Sequence, residues 1–215
     1  MVLRVSMVVL ASLAAGGPAL AQAPKPAPAS AAAKPTPMDS QAAIEKANAA
    51  LNSFSTMSAT FSQVGGDGGR LSGTVWVQRP GKLRFEYNKP SVLEVVSDGS
   101  TVLVRDRKLN TSDPYPISQT PLKFLLSSRI DLARDTKVRS VSASGGDVNI
   151  LIEDSSTLGG TSRITLTFDN DVANLKRWRV VDAQGSTTTV SLSGMQKNVT
   201  VDPRTFNFGF MRPVE

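Results

Sequence analysis

The chain has 215 residues, 40% of them apolar, and contains neither cysteine nor histidine. That is enough for one domain with its own core, and it excludes a disulfide framework, the usual zinc sites, Cys/His nucleophile pairs and Ser-His-Asp triads. The formal charge of +6 falls to +3 over residues 39–215, because Arg4, Lys25 and Lys34 precede them with no acidic residue among them; so mild an excess, without a basic stripe interleaved with aromatics, argues against a nucleic-acid partner.

Arg4 is followed by an uncharged, mostly apolar stretch from Val5 to about Leu20 and by two small-x-small sites, Ala19-Leu20-Ala21 and Ala21-Gln22-Ala23. This reads as a secretory signal peptide over 1–21, cleaved after Ala21 or Ala23. No later segment approaches ~20 continuous apolar residues, so a soluble mature protein is expected. Residues 22–38, QAPKPAPASAAAKPTPM, hold five prolines and no periodic apolar face, and read as an extended, disordered linker. A folded domain is predicted over 39–215. It opens with a helix capped by Asp39 or Ser40, in which Ile44, Ala47 and Leu51 form one apolar stripe with Phe54 at its end.

Turn signals then punctuate β-prone runs: GGDGG, RPGK, NKPS, SDGS, SGGD, FDNDV and DAQGS. They delimit eleven predicted strands, near 57–64, 70–78, 82–88, 92–98, 101–106, 109–114, 136–143, 147–153, 161–168, 174–181 and 186–194. Tight turns between neighbours imply an antiparallel meander. A single further helix is predicted at 120–128, with Thr120 as N-cap and Pro121 at N1, presenting Leu122, Leu125 and Leu126 on one face. Two small apolar-faced helices and a long meander suggest a strongly curved sheet with helices over its concave side.

Alternation places Val75, Val77 and Arg79 on one face, and Leu83, Phe85 and Tyr87 on one face after the turn, matched by Leu93 and Val95 on the next strand. Composition alone fits a solid interior, as in small barrels; an arginine ending an apolar row favours a cavity, since buried charge needs water or fixed acceptors. The alternative is that Arg79 only starts the RPGK turn with its head in solvent. A carboxylate enzyme drawing on Glu86, Glu94 and Asp106 is disfavoured, because alternation points Glu86 and Glu94 outward, away from any concave site. No enzymatic activity is expected.

Phe61-Ser62-Gln63, Gly73-Thr74-Val75-Trp76-Val77-Gln78-Arg79-Pro80, Phe85 with Tyr87, Pro90, Ser97-Asp98-Gly99 and Thr120-Pro121-Leu122 occur in an order and spacing that resemble the LolA family, the periplasmic outer-membrane lipoprotein carriers. The resemblance implies a mainly β fold, an unclosed antiparallel barrel of about eleven strands with a helical lid over an apolar cavity. It also implies a monomeric periplasmic chaperone without metal or cofactor. Its partners would be lipoproteins held by their acyl chains, an inner-membrane ABC transporter of the LolCDE type that loads it, and an outer-membrane receptor of the LolB type that unloads it. On this reading Leu83, Phe85, Leu93, Val95, Phe54 and Phe61 line the cavity. Ile44, Leu51, Leu122, Leu125 and Leu126 form the lid's apolar surface, and Arg79 latches the lid by hydrogen-bonding its backbone. The family commonly carries a larger aromatic residue where this chain has Leu83. The second reading is a periplasmic lipid- or envelope-stress-sensing binding module of the same fold.

Overall fold

The computed structural model describes the backbone of residues 36–37 and all of residues 39–208; the predicted signal peptide and most of the predicted linker lie outside the described residues. One antiparallel sheet of twelve strands dominates. In chain order these are β1 (Thr36–Pro37), β2 (Thr56–Val64), β3 (Arg70–Gln78), β4 (Lys82–Tyr87), β5 (Leu93–Asp98), β6 (Thr101–Asp106), β7 (Thr111–Pro116), β8 (Lys137–Ser144), β9 (Asp147–Asp154), β10 (Ser162–Asp169), β11 (Leu175–Val181) and β12 (Thr187–Lys197). In space the order is β1-β8-β9-β10-β11-β12-β2-β3-β4-β5-β6-β7, and its two ends do not pair. The barrel is therefore unclosed. The connection from β7 to β8 joins the two halves and carries the lid elements α2 (Lys123–Leu126) and α3 (Leu132–Asp135), while α1 (Ser40–Asn52) precedes β2.

All eleven predicted strands are present, with a few instructive shifts. β7 runs to Pro116 through two prolines, which its place at the edge of the sheet permits because an outward residue there has no ladder bond to lose. β12 continues past Gly194 to Lys197, through a bulge at which Gly194 has φ +60°. The two residues of β1, inside the predicted linker, pair with Ala143 and Ser142 of β8. The predicted helix at 120–128 is reduced to α2. Thr120 is extended, and its hydroxyl donates back to Ile117 O at 2.9 Å instead of capping the turn ahead, so regular helix begins three residues later. α3, with Asp131 accepting from the Arg134 N–H, was not predicted at all.

Alternation builds the inner wall. Met57, Ala59 and Phe61 of β2, Val75 and Val77 of β3, Leu83 and Phe85 of β4, Ile150 and Ile152 of β9, Ile164, Leu166 and Phe168 of β10 and Trp178 of β11 are all buried and belong to one cluster with the lid. The outer wall has a small core of its own: the 3-10 turn Pro203–Phe206 lies against β4 and β5, where Phe206 and the outward Val96 are buried. Glu94 faces outward as alternation requires, yet it is only 8% exposed, held by Arg84 at 2.7 Å and Arg107 at 3.6 Å. Arg84 also donates to Thr205 O, tying the turn to the sheet. Glu94 is thus a structural ion-pair partner.

Candidate functional site

The lid is knitted from backbone and short side chains. Asp39 caps α1 by accepting from Gln41 N and Ala42 N, the arrangement that satisfies otherwise orphan helix donors. α1 turns Ala43, Ala47 and Leu51 inward. The buried stripe therefore runs at i, i+4 and i+8 through two alanines, with the predicted Ile44 at its partly buried margin. Asn48 and Asn52, on the same helix, reach the segment before α3: Asn52 donates to Ile130 O at 2.8 Å and accepts from Ile130 N at 2.9 Å, and Asn48 accepts from Leu132 N at 3.0 Å. α2 brings Phe124, Leu125 and Leu126 into the interior and leaves Leu122 partly buried. Lys123 pins it from the other side, donating to Asp154 at 2.8 Å and to the Ser156 hydroxyl.

Arg79 sits where these parts meet. Its backbone N–H donates to Ser55 O at 2.8 Å, and the guanidinium donates to Leu125 O through Nε at 2.9 Å, to Phe54 O at 3.1 Å and to Leu51 O. One fork thus joins the C-terminal end of α1 to α2, a task suited to a planar group with fixed donors. Its carbon lies 4.3 Å from the Phe54 ring centroid, a cation–π contact. Burial pushes its pKa down to about 10, which leaves it charged at neutral pH. Nη2 is buried without a partner among the described residues. The turn beside it allows close approach because Gly81 has φ +76° and a Cβ there would lie 2.4 Å from Gly99 O; Gly81 N also donates to Leu126 O at 2.8 Å.

The space that the described residues leave directly beneath α1 and α2 is small. Leu51, Phe54, Met57, Leu125, Phe168 and Leu192 line a cavity of about 10 Å³, room for roughly one water. A separate open cleft of about 280 Å³ lies beside Arg79, lined by Asn52, Ser53, Phe54, Arg79 and Asn198 among others. The hydrophobic floor is aromatic: Phe61 meets Phe85 and Tyr87 edge-on at 4.9 and 5.1 Å, and Trp178 reaches Phe85 from the other half of the barrel at 6.5 Å. Gly73 makes that contact possible, since a Cβ there would lie 1.9 Å from Glu86 O and 2.9 Å from the Phe61 ring.

A family model described as "Outer membrane lipoprotein carrier protein LolA" matches residues 52–209. The chain belongs to the LolA family. Among its relatives, the outer-membrane lipoprotein carrier protein of Methylobacillus flagellatus is 29% identical over 174 residues, 77% of this chain and 83% of that one. The one from Chromohalobacter salexigens is 31% identical over 179 residues, 76% and 81% of the two chains. A LolA-superfamily crystal structure from Nitrosomonas europaea aligns over 81% of this chain and all of that one, at 11% identity and a TM-score of 0.46.

Of the residues predicted for the LolA-type cavity, Leu83, Phe85, Val95, Phe54 and Phe61 are buried in the shared cluster. Leu93 holds the first position of β5, only partly buried. Leu51, Leu125 and Leu126 are buried at the lid contact. The prediction missed Lys123, Asp154, Asn48 and Asn52, whose roles come from partners remote in sequence. It also missed that Gln63 is buried, for which its i+2 spacing from inward Phe61 was a usable signal.

Proposed function

We propose that this LolA-family chain is a periplasmic carrier. It takes up the acyl chains of lipoproteins beneath α1 and α2 after release by a LolCDE-type inner-membrane transporter, and gives them up to a LolB-type outer-membrane receptor. The observation that carries the reading is Arg79, one guanidinium fastening both lid helices over an apolar wall. The predicted roles of the lining residues and of the latch are part of the proposal.

The energetics fit such a task. An acyl chain of about fifteen methylenes at ~0.8 kcal/mol each is worth roughly 12 kcal/mol of anchoring, so unaided passage through water is negligible. A carrier must match much of that and still release its load. Lid side chains that fill the interior compete with cargo for the same wall, which lowers net affinity by the free energy of closing. The unpartnered Nη2 keeps the closed form from being fully satisfied, so the latch holds without locking.

The test is to isolate the mature protein from periplasm and identify co-purifying molecules by mass spectrometry. Acylated proteins are the expected outcome; free lipids alone would favour the sensing module, and no acyl-bearing species at all would overturn the carrier.

A further inference from the structure

Arg79 carries a charge that no described residue neutralises. Its guanidinium bonds three backbone carbonyls, those of Leu51, Phe54 and Leu125, and none of the ion pairs among the described residues includes it. Burial alone moves its pKa, with no carboxylate offsetting the loss of water. A charge withdrawn from water is ordinarily paired. One arm of its fork is also idle, since the buried Nη2 has no acceptor among the described residues. Beside this group the surface opens. The cleft of about 280 Å³ that Arg79 lines is otherwise walled by uncharged residues, Asn52, Ser53, Ser55, Ser128 and Asn198 among them, so among the described residues the guanidinium is its only charge.

We propose that this cleft admits a carboxylate from an acidic segment of a protein partner, which pairs with Arg79 and releases the lid. The inference rests on the carrier reading, in which the lid must open to exchange cargo. Nη2 offers the incoming group a first hydrogen bond that displaces no carbonyl. A planar carboxylate then completes a bidentate pair through the neighbouring Nη1, which it can take only from Leu51 O or Phe54 O. A carbonyl opposes the guanidinium with a dipole and a carboxylate with a full charge, so in a partly dry site the exchange favours the anion. As the group turns toward the cleft it gives up the carbonyls of α1 and then that of Leu125. A Glu side chain suits the cleft better than a lipid phosphate. Its carboxylate is flat and stands at the tip of a slim stem, whereas a phosphodiester is tetrahedral and substituted on two sides, and Nη2 is withdrawn from the surface.

The experiment follows hydrogen exchange of the Gly81 amide, which donates to Leu126 O and so reports α2 lifting from the wall. The full-chain protein is given millimolar acetyl-Gly-Glu-Gly-amide, its Gln counterpart or glycerol 3-phosphate. The Glu peptide should speed exchange by about tenfold and the Gln peptide should not. Ser128→Phe, which fills the cleft from an exposed position, should abolish the response and leave resting exchange unchanged. Thermal melting checks the variant's fold, and Ser128→Leu serves if the phenylalanine variant does not fold. Equal exchange with the Glu and Gln peptides, or a full response in a folded Ser128 variant, overturns the inference alone. A response to glycerol 3-phosphate without one to the Glu peptide assigns the cleft to a lipid headgroup and overturns the protein partner. Binding of an acylated peptide is measured on the same sample; its absence overturns the carrier reading and the inference with it.

Discussion

Asn52 and Ile130 exchange two hydrogen bonds, side-chain amide to backbone, at 2.8 and 2.9 Å. The asparagine acts as a neighbouring strand would, so the end of α1 and the segment leading to α3 form one body. Asn52→Ala strands a donor and an acceptor at a residue only 3% exposed, and should cost about 2 kcal/mol of stability. Urea unfolding reads the loss, and amide exchange at Ile130 and Leu132 should quicken with it. Unchanged exchange there would show that the pairing does not hold the lid together.

Arg79→Leu should retain the fold and slow cargo release. The closed lid loses bonds to three carbonyls, worth roughly 1 kcal/mol each, and cargo loses its competitor, so transfer to acceptor membranes should slow by roughly a hundredfold. Arg79→Lys should fall between, because a compact ammonium cannot span both helices with the same geometry. Wild-type transfer rates in both variants would count decisively against a latch.

Asp154 supplies a pH dependence. Burial raises its pKa, but the Lys123 hydrogen bond and the Ser156 N–H and hydroxyl outweigh that, leaving the group below its ordinary value. A carboxylate depressed in the fold stabilises fully above its unfolded pKa of ~3.9 and loses that contribution as pH falls through the lower folded value. The stability gap between wild type and Asp154→Asn should therefore stay constant from about pH 8 to about pH 5 and shrink below about pH 4. Chemical denaturation at several pH values would test this, and a gap that widened on acidification would reverse the sign.

Gly73→Ala should be among the most damaging single-methyl additions, since the new carbon meets backbone at 1.9 Å. Backbone cannot rotate aside as a side chain can, so a loss of about 3 kcal/mol is expected, seen as a lower denaturation midpoint and a weakened Phe61–Tyr87 contact.

The strand count was legible because turn signals mark seven of the nine hairpins, and the inward faces because alternation is strict: Phe61, Val75, Val77, Leu83 and Phe85 all fall where period two puts them. Arg79 was legible as an anomaly in that row, though its acceptors were not, since Leu51, Phe54 and Leu125 bind it through carbonyls that carry no side-chain signature. The lid was read less well. α2 and α3 have four residues each, too few for an apolar period, and their positions depend on tertiary partners such as Asn48 and Lys123. On α1 the bulk of Ile44 drew the predicted stripe off the alanine line that faces the wall.

That alanine line has a mechanical consequence. Between Asp39 and Ala47 the fully buried groups of the helix are the methyls of Ala43 and Ala47, with Ile44 only partly buried beside them, and the larger buried group, Leu51, is near the far end, followed by Phe54 beside the arginine. Adhesion per turn therefore rises toward the C-terminal end, since dispersion scales with the atoms in contact. A helix graded in this way should peel from its lightly held tip, with the guanidinium contact the last to part.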